Sequence, residues 1–207
     1  MSSPYKNILA IGAHVDDIEL GCVGTLLKFQ EQGSSIDVVV TNKPRSNGKV
    51  TRSTEEVIDD YHEAERYLGL NYCILPNDVL VWDRNSVARM DEVVRHKEYD
   101  LVITHSAGDF HQDHQTTFNI VNSSLRRFRG EFWCMEVSPY GNKNRSFNPN
   151  IFVNITKQMD QKITALKCYR KYFDEQLQHN VMGLASFRGQ VCNAKYAEAF
   201  ELQFRTC

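Results

Sequence analysis

Several large classes are excluded by what the chain lacks. No stretch approaches the roughly 18 consecutive apolar residues that a membrane helix needs, so no span is expected. No charge of one sign dominates. The 24 Lys and Arg stand against 26 Asp and Glu, a net charge of −2 with a pI near 6.4, which argues against a nucleic-acid or anionic-membrane surface. The six cysteines, Cys22, Cys73, Cys134, Cys168, Cys192 and Cys207, are scattered without a C-x-x-C pair, which disfavours a zinc knuckle or a disulfide scaffold. Residues 1–7 hold no apolar core of a secretory signal, so a reducing cytoplasmic location is expected. No G-x-G-x-x-G follows the first strand-like run, where Gly12 gives way to Ala13 and His14, so dinucleotide binding has little support. There is no internal repeat and no linker. What is present is 42% hydrophobic and 11% aromatic content over 207 residues. That suffices for one domain with a sizeable core and is too much for intrinsic disorder, and residues 1–207 are read as one domain.

Apolar periodicity alternates between short β-branched runs and longer amphipathic stretches. Strands are expected at 7–11, 36–41, 72–75 and 101–104. Helices are expected at 18–32 with Gly33 as its stop, from Ser53 to Leu68, at 86–97 and at 115–128. Ser53 and Glu56 form a capping-box pair, and Gly69 ends that helix. Two further strands, 131–137 and 151–155, flank a turn-rich segment. A helix over 156–172 and a strand within 194–204 complete the chain. This order predicts an α/β fold, a Rossmann-like, mainly parallel sheet with helices on both faces.

Ligands of such sheets bind beyond the carboxyl ends of strands. Two polar clusters fall there, Gly12-Ala13-His14-Val15-Asp16-Asp17 after the first strand and residues 105–114, ending His111-Gln112-Asp113-His114, after the fourth. Two imidazoles and a carboxylate leave positions open on a metal ion, as in catalytic sites. A further carboxylate can take a proton from water, and a further histidine can stabilise an oxyanion. A bland account exists for each motif alone: Asp16 and Asp17 precede a helix, where carboxylates suit the N-terminal dipole. The coincidence of both clusters on one sheet edge favours the functional account.

Beyond that point the sequence resembles a known family. Ala13-His14-Val15-Asp16-Asp17 with Leu20-Gly21-Cys22-Val23-Gly24 resembles the A-H-P-D-D-x-x-x-G-C-G-G start of the LmbE-like, or PIG-L-like, de-N-acetylases. His111-Gln112-Asp113-His114 resembles their H-P-D-H motif. Glu136 with Phe147-Asn148-Pro149-Asn150-Ile151-Phe152-Val153, and Gly189 with Tyr196-Ala197-Glu198-Ala199-Phe200, resemble later segments. The resemblance implies a Rossmann-like fold and zinc-dependent hydrolysis of an N-acetyl group on a small amino-sugar substrate. It implies His14, Asp17 and His114 as ligands of Zn2+, or of another divalent metal such as Fe2+. Asp16 is implied as general base, His111 as oxyanion stabiliser, and Asp113 as the group that orients His111 or His114.

The chain departs from the pattern at Val15 and Gln112, where proline is usual, at Val23 for glycine and at Asn154 for aspartate. These changes bear on the substrate more than on the reaction. Arg188 is the first candidate for substrate binding, since the resemblance brings its segment near the site. Asp78 is a candidate for sugar hydroxyls, beside its reading as a turn aspartate. Arg45, in a loop with Lys43, Lys49 and Arg52, is a candidate for an anionic group, beside its reading as a solvated loop cation. Trp82 suits a sugar ring, though a core or surface aromatic is the commoner role. The competing functions are a non-catalytic sugar- or nucleotide-sugar-binding module, hydrolysis of another small acyl group such as N-formyl, and an iron(II) oxygenase, whose scaffold the β-α alternation disfavours. A homo-oligomer is left open.

Overall fold

A computed structural model describes residues 2–44, 53–77, 79–137, 147–170 and 172–206. Arg45 and Asp78, like Lys49, Arg52 and Lys171, lie outside the described residues. The elements run β1 (Asn7–Gly12), α1 (Asp17–Gly21), α2 (Val23–Glu31), β2 (Ser35–Asn42), α3 (Thr54–Leu68), β3 (Asn71–Asn77), α4 (Arg84–Arg95), β4 (Leu101–His105), α5 (Gln112–Ser124), β5 (Glu131–Met135), β6 (Ile151–Asn154), α6 (Met159–Lys167), α7 (Glu175–Val191) and β7 (Ala197–Arg205).

They form one seven-stranded sheet in the order β3-β2-β1-β4-β5-β7-β6. Strands β1 to β5 pair in parallel, and β7 runs antiparallel to both β5 and β6. Ile8, Leu9, Ala10 and Ile11 are fully buried, as a central parallel strand covered on both faces requires. Ile8 and Ala10 join one core, with Leu26, Ile163 and Val181 of α2, α6 and α7. Leu9 and Ile11 join the other, with Met90 of α4 and Ile120 of α5. The expected α/β fold, mainly parallel with helices on both faces, is the fold observed.

Two differences matter for the site. The expected helix over 18–32 is two helices, broken at Cys22, whose φ of −148° leaves the helical region. The break holds because distant side chains satisfy the freed backbone groups. Glu198 on β7 accepts from the Gly24 N–H (3.0 Å) and the Thr25 N–H (2.6 Å). Lys162 on α6 donates to Glu198 (2.6 Å) and to the Leu20 carbonyl (2.7 Å). The second difference is α7, a helix to which the periodicity assigned no element. Its buried residues are only Val181, Ala185 and Gly189, a narrow stripe of small side chains that gives little apolar signal. Elsewhere boundaries shift: α6 starts at Met159 and α5 at Gln112, so Gln112, Asp113 and His114 form a first helical turn instead of a loop. The capping box at Ser53 and Glu56 and the left-handed Gly69 are as expected.

Gly24 lies where the break is packed. A Cβ there would stand 2.8 Å from Ile155 Cδ1 and 3.1 Å from Glu198 Oε1. Overpacking costs about 1–3 kcal/mol, against a helix-propensity gain of about 1 kcal/mol over glycine. Gly24→Ala is therefore expected to lose about 1 kcal/mol in urea denaturation, and a variant as stable as the parent contradicts this packing.

Candidate metal and catalytic site

The sheet order places the site. Strand β1 lies between β2 and β4, so the chain leaves β1 toward one side and returns on the other, making a crevice at their carboxyl ends. The turn after β1 carries His14, Asp16 and Asp17, and the turn after β4 carries residues 105–114. Topology thus joins two segments about ninety residues apart in sequence.

Asp17 is the centre of the cluster and is buried. Its Oδ2 accepts from the backbone N–H of Ala13 (2.8 Å) and of His14 (2.7 Å). His14 Nδ1 lies 3.5 Å from Oδ2, and His114 Nε2 lies 3.2 Å from Oδ1. The three residues implied as ligands therefore converge. Among the described residues, two groupings have their potential donor atoms all within 4.8 Å of one another: His14, His111 and His114, and Asp17, His105 and His114.

The electrostatics are those of a site that attracts cations. Burial opposes charge on His14, but the carboxylates of Asp113 and Asp17 together outweigh it and hold the imidazole up to about 11. His114 is likewise raised, to about 9, by Asp17 and Asp109 against the cost of burial. Asp17 is held well below the ordinary carboxylate range, since His114 and His105 outweigh its burial. A divalent cation held here would balance the same buried carboxylate between facing rings. Two imidazoles and one carboxylate are a donor set that suits zinc or iron(II), so the residues present fit the group.

Asp16 is not a hydrogen-bonded cap. It occupies the N-cap of α1 but makes no side-chain cap hydrogen bond. Burial, and then the charge of Asp17, push its carboxyl up to about 6, the direction that suits a base. His111 is the N-cap of α5, and its Nδ1 accepts the Asp113 N–H (3.2 Å). A neutral ring in this setting carries its proton on Nε2. Burial, then the charges of His114 and His14, lower its pKa.

Other expectations are revised. Asp113 faces neither His111 nor His114 with its carboxylate: Oδ2 lies 3.1 Å from His14 Nε2. Only its backbone serves His111. The carboxylate beside His114 is Asp109, with Oδ2 3.0 Å from Nδ1. Arg188 on α7 is held in a two-point pair with Glu136, at 2.8 and 2.7 Å, just past the end of β5. Its guanidinium also lies 5.8 Å from the Phe147 ring centroid. Its charge is therefore already partnered. Trp82 is 58% exposed and donates to Ser123, twelve residues along α5 from His111, or ~18 Å at helical rise. It is a surface aromatic. Sequence reasoning assigned no role to His105, which is fully buried, stacks on His114 at 3.9 Å between centroids and places Nε2 3.1 Å from Asp17. The legible signal was its place as the last residue of a buried strand opening onto the cluster.

The profile of PIG-L, GlcNAc-PI de-N-acetylase, matches residues 9–125, a span that holds both turns. The chain belongs to the PIG-L family. An Escherichia coli relative described as the uncharacterized deacetylase YaiS is 26% identical over 178 residues, 80% of this chain and 91% of its own. Among solved structures, the N,N'-diacetylchitobiose deacetylase of Pyrococcus horikoshii superposes with a TM-score of 0.79 at 20% identity, covering 97% of this chain and 84% of that one. GalB, the 4-carboxy-2-hydroxymuconate hydratase of Pseudomonas putida, superposes at 0.82 and 21% identity over 98% of both chains. As a PIG-L member the chain belongs with deacetylases, and the two structures confirm its fold. No helix among the described residues is long and apolar enough to cross a membrane.

Proposed function

We propose that this PIG-L protein is a metal-dependent amidohydrolase that removes the N-acetyl group of an amino sugar, a GlcNAc-type conjugate or a nucleotide sugar, with His14, Asp17 and His114 holding Zn2+. The observation that carries the reading is the convergence of these three side chains around Asp17, beside an Asp16 whose carboxylate caps nothing. Bound there, zinc would polarise the amide carbonyl and acidify a water, whose pKa such an ion can bring to about 7.

The chain's own residues supply the rest. Asp16 takes a proton from the attacking water and can return it to the leaving amine. His111 donates from Nε2 to the carbonyl oxygen as negative charge develops, a contribution worth about 10²–10³ in rate. The Asp113 N–H on Nδ1 keeps that donor available in a neutral ring, so His111 does not need to be charged. Asp113 orients His14 through its carboxylate. The Arg188–Glu136 pair, just past the carboxyl end of β5, is the candidate contact for polar groups of the substrate in this reading. Residues 1–207 act as one unit in this reading. Beyond the family match, Glu201 of β7 accepts from Ser106 (3.2 Å) in the second turn, and Glu198 braces the helices after the first. The free thiols of the five described cysteines suit a reducing cytoplasm.

The test is acetate release from N-acetylglucosamine conjugates and UDP-sugars, after chelation and with zinc restored. Metal-dependent acetate is expected. Water addition to an unsaturated acid with no acetate from any amide would instead align the chain with the hydratase relative. His14→Ala and His114→Ala are expected to lose stoichiometric zinc by metal analysis together with at least about 100-fold of activity. A folded variant that keeps one ion per chain and full turnover refutes the ligand set.

A further inference from the structure

Beside the cluster stands Asp109, a carboxylate to which the ligand set and the acid–base chemistry proposed above give no part. Asp109 is buried in the turn between β4 and α5. Its Oδ1 accepts the His111 N–H at 2.8 Å. Its Oδ2 lies 3.0 Å from His114 Nδ1. Its backbone is tied at both ends, with the N–H on the Ser106 carbonyl (3.1 Å) and the carbonyl accepting from Gln115 Nε2 (2.5 Å). One side chain therefore touches both functional histidines of the second turn.

The 3.0 Å approach of Asp109 to His114 favours one tautomer of the neutral ring. A carboxylate oxygen 3.0 Å from a ring nitrogen is favourable only if that nitrogen carries a proton, since two lone pairs would otherwise face each other. With Nδ1 protonated, the lone pair of a neutral His114 is on Nε2. Nε2 is the atom that faces Asp17 Oδ1 at 3.2 Å. The stacked His105 ring closes one face of His114, so the ring has little room to turn.

We infer that Asp109 is a positioning residue of the metal centre, holding His114 in the tautomer that offers Nε2 and setting the His111 backbone at the start of α5. The inference rests on the ligand set proposed above. Partners of this type typically contribute 10- to 100-fold to metal affinity.

The test uses the full chain, stripped of metal and reloaded with Co2+. Dissociation constants are taken by competition against a chelator, and ligation is read from the visible d–d spectrum. Asp109→Asn preserves shape but cannot serve both contacts as acceptor, because its amide nitrogen would meet one of two N–H groups. Expected are Co2+ binding 10- to 100-fold weaker, the parental spectrum at saturation, and metal-free melting within a few degrees of the parent. Asp109→Glu, which restores the charge, is expected to recover part of the affinity. Parental affinity in Asp109→Asn overturns the inference. A changed spectrum overturns it too, by making Asp109 a ligand, and a chain that fails to fold assigns Asp109 a structural role instead. If the parent itself binds no Co2+ or Zn2+ stoichiometrically, the proposed centre fails, a result distinct from any outcome of the variant.

Discussion

Asp16→Ala is expected to lower the rate of acetate release by about 10²–10⁴-fold, the range general-base catalysis contributes, while zinc content stays at the parental level. The separation follows from geometry. Asp17, next in sequence, holds both turns through Ala13, His14 and His114, whereas Asp16 makes no side-chain cap bond to its helix. Removing the Asp16 carboxylate thus takes away a proton acceptor and leaves the binding frame. Asp16→Asn, which keeps the shape, should be equally impaired. Steady-state kinetics with metal analysis on the same samples check the prediction. Near-parental turnover rejects Asp16 as the base, and loss of zinc in both variants would make it a ligand.

The largest effect on stability is expected at Glu198. Its carboxylate and the Lys162 ammonium are both buried. Removing one partner of such a pair typically costs about 3–5 kcal/mol, because the other is left charged without compensation. That is a large share of the ~5–15 kcal/mol that holds a domain together. Glu198→Ala also strips the acceptor from two N–H groups of α2. The double change Lys162→Met with Glu198→Leu should recover only part of the loss: it removes both charges but leaves those N–H groups and the Leu20 carbonyl unpaired. Urea denaturation of the three chains checks this. A loss below about 1 kcal/mol in Glu198→Ala would show that water reaches the pair.

This pair also shows where legibility ended. The residues of the Gly-Cys-Val-Gly turn and of Tyr196-Ala197-Glu198-Ala199-Phe200 were visible as family motifs, yet nothing local says that the second motif serves the first. Residues 174 positions apart bond at 3.0 Å, and helix periodicity runs unbroken through Cys22 because Leu20, Leu26 and Leu27 keep their spacing. The partner of Asp113 lies across the crevice for a similar reason. The resemblance implied His111 or His114, but the first turn of α5 sends the Asp113 carboxylate to His14.

By itself the sequence determined the strand and helix alternation, the sheet class and the two clusters. Each rests on local patterning: apolar periods of two and 3.6, caps, glycine stops, and polar residues crowded at strand ends. Only the tertiary structure decided which side chains face one another across the crevice. The reversal of strand order between β1 and β4 brings Asp17 to His114, sets Asp109 and His105 behind them and commits Arg188 to Glu136. Side-chain orientation and pairing depend on distances across the crevice, and these arise from the strand order of the sheet rather than from any one segment.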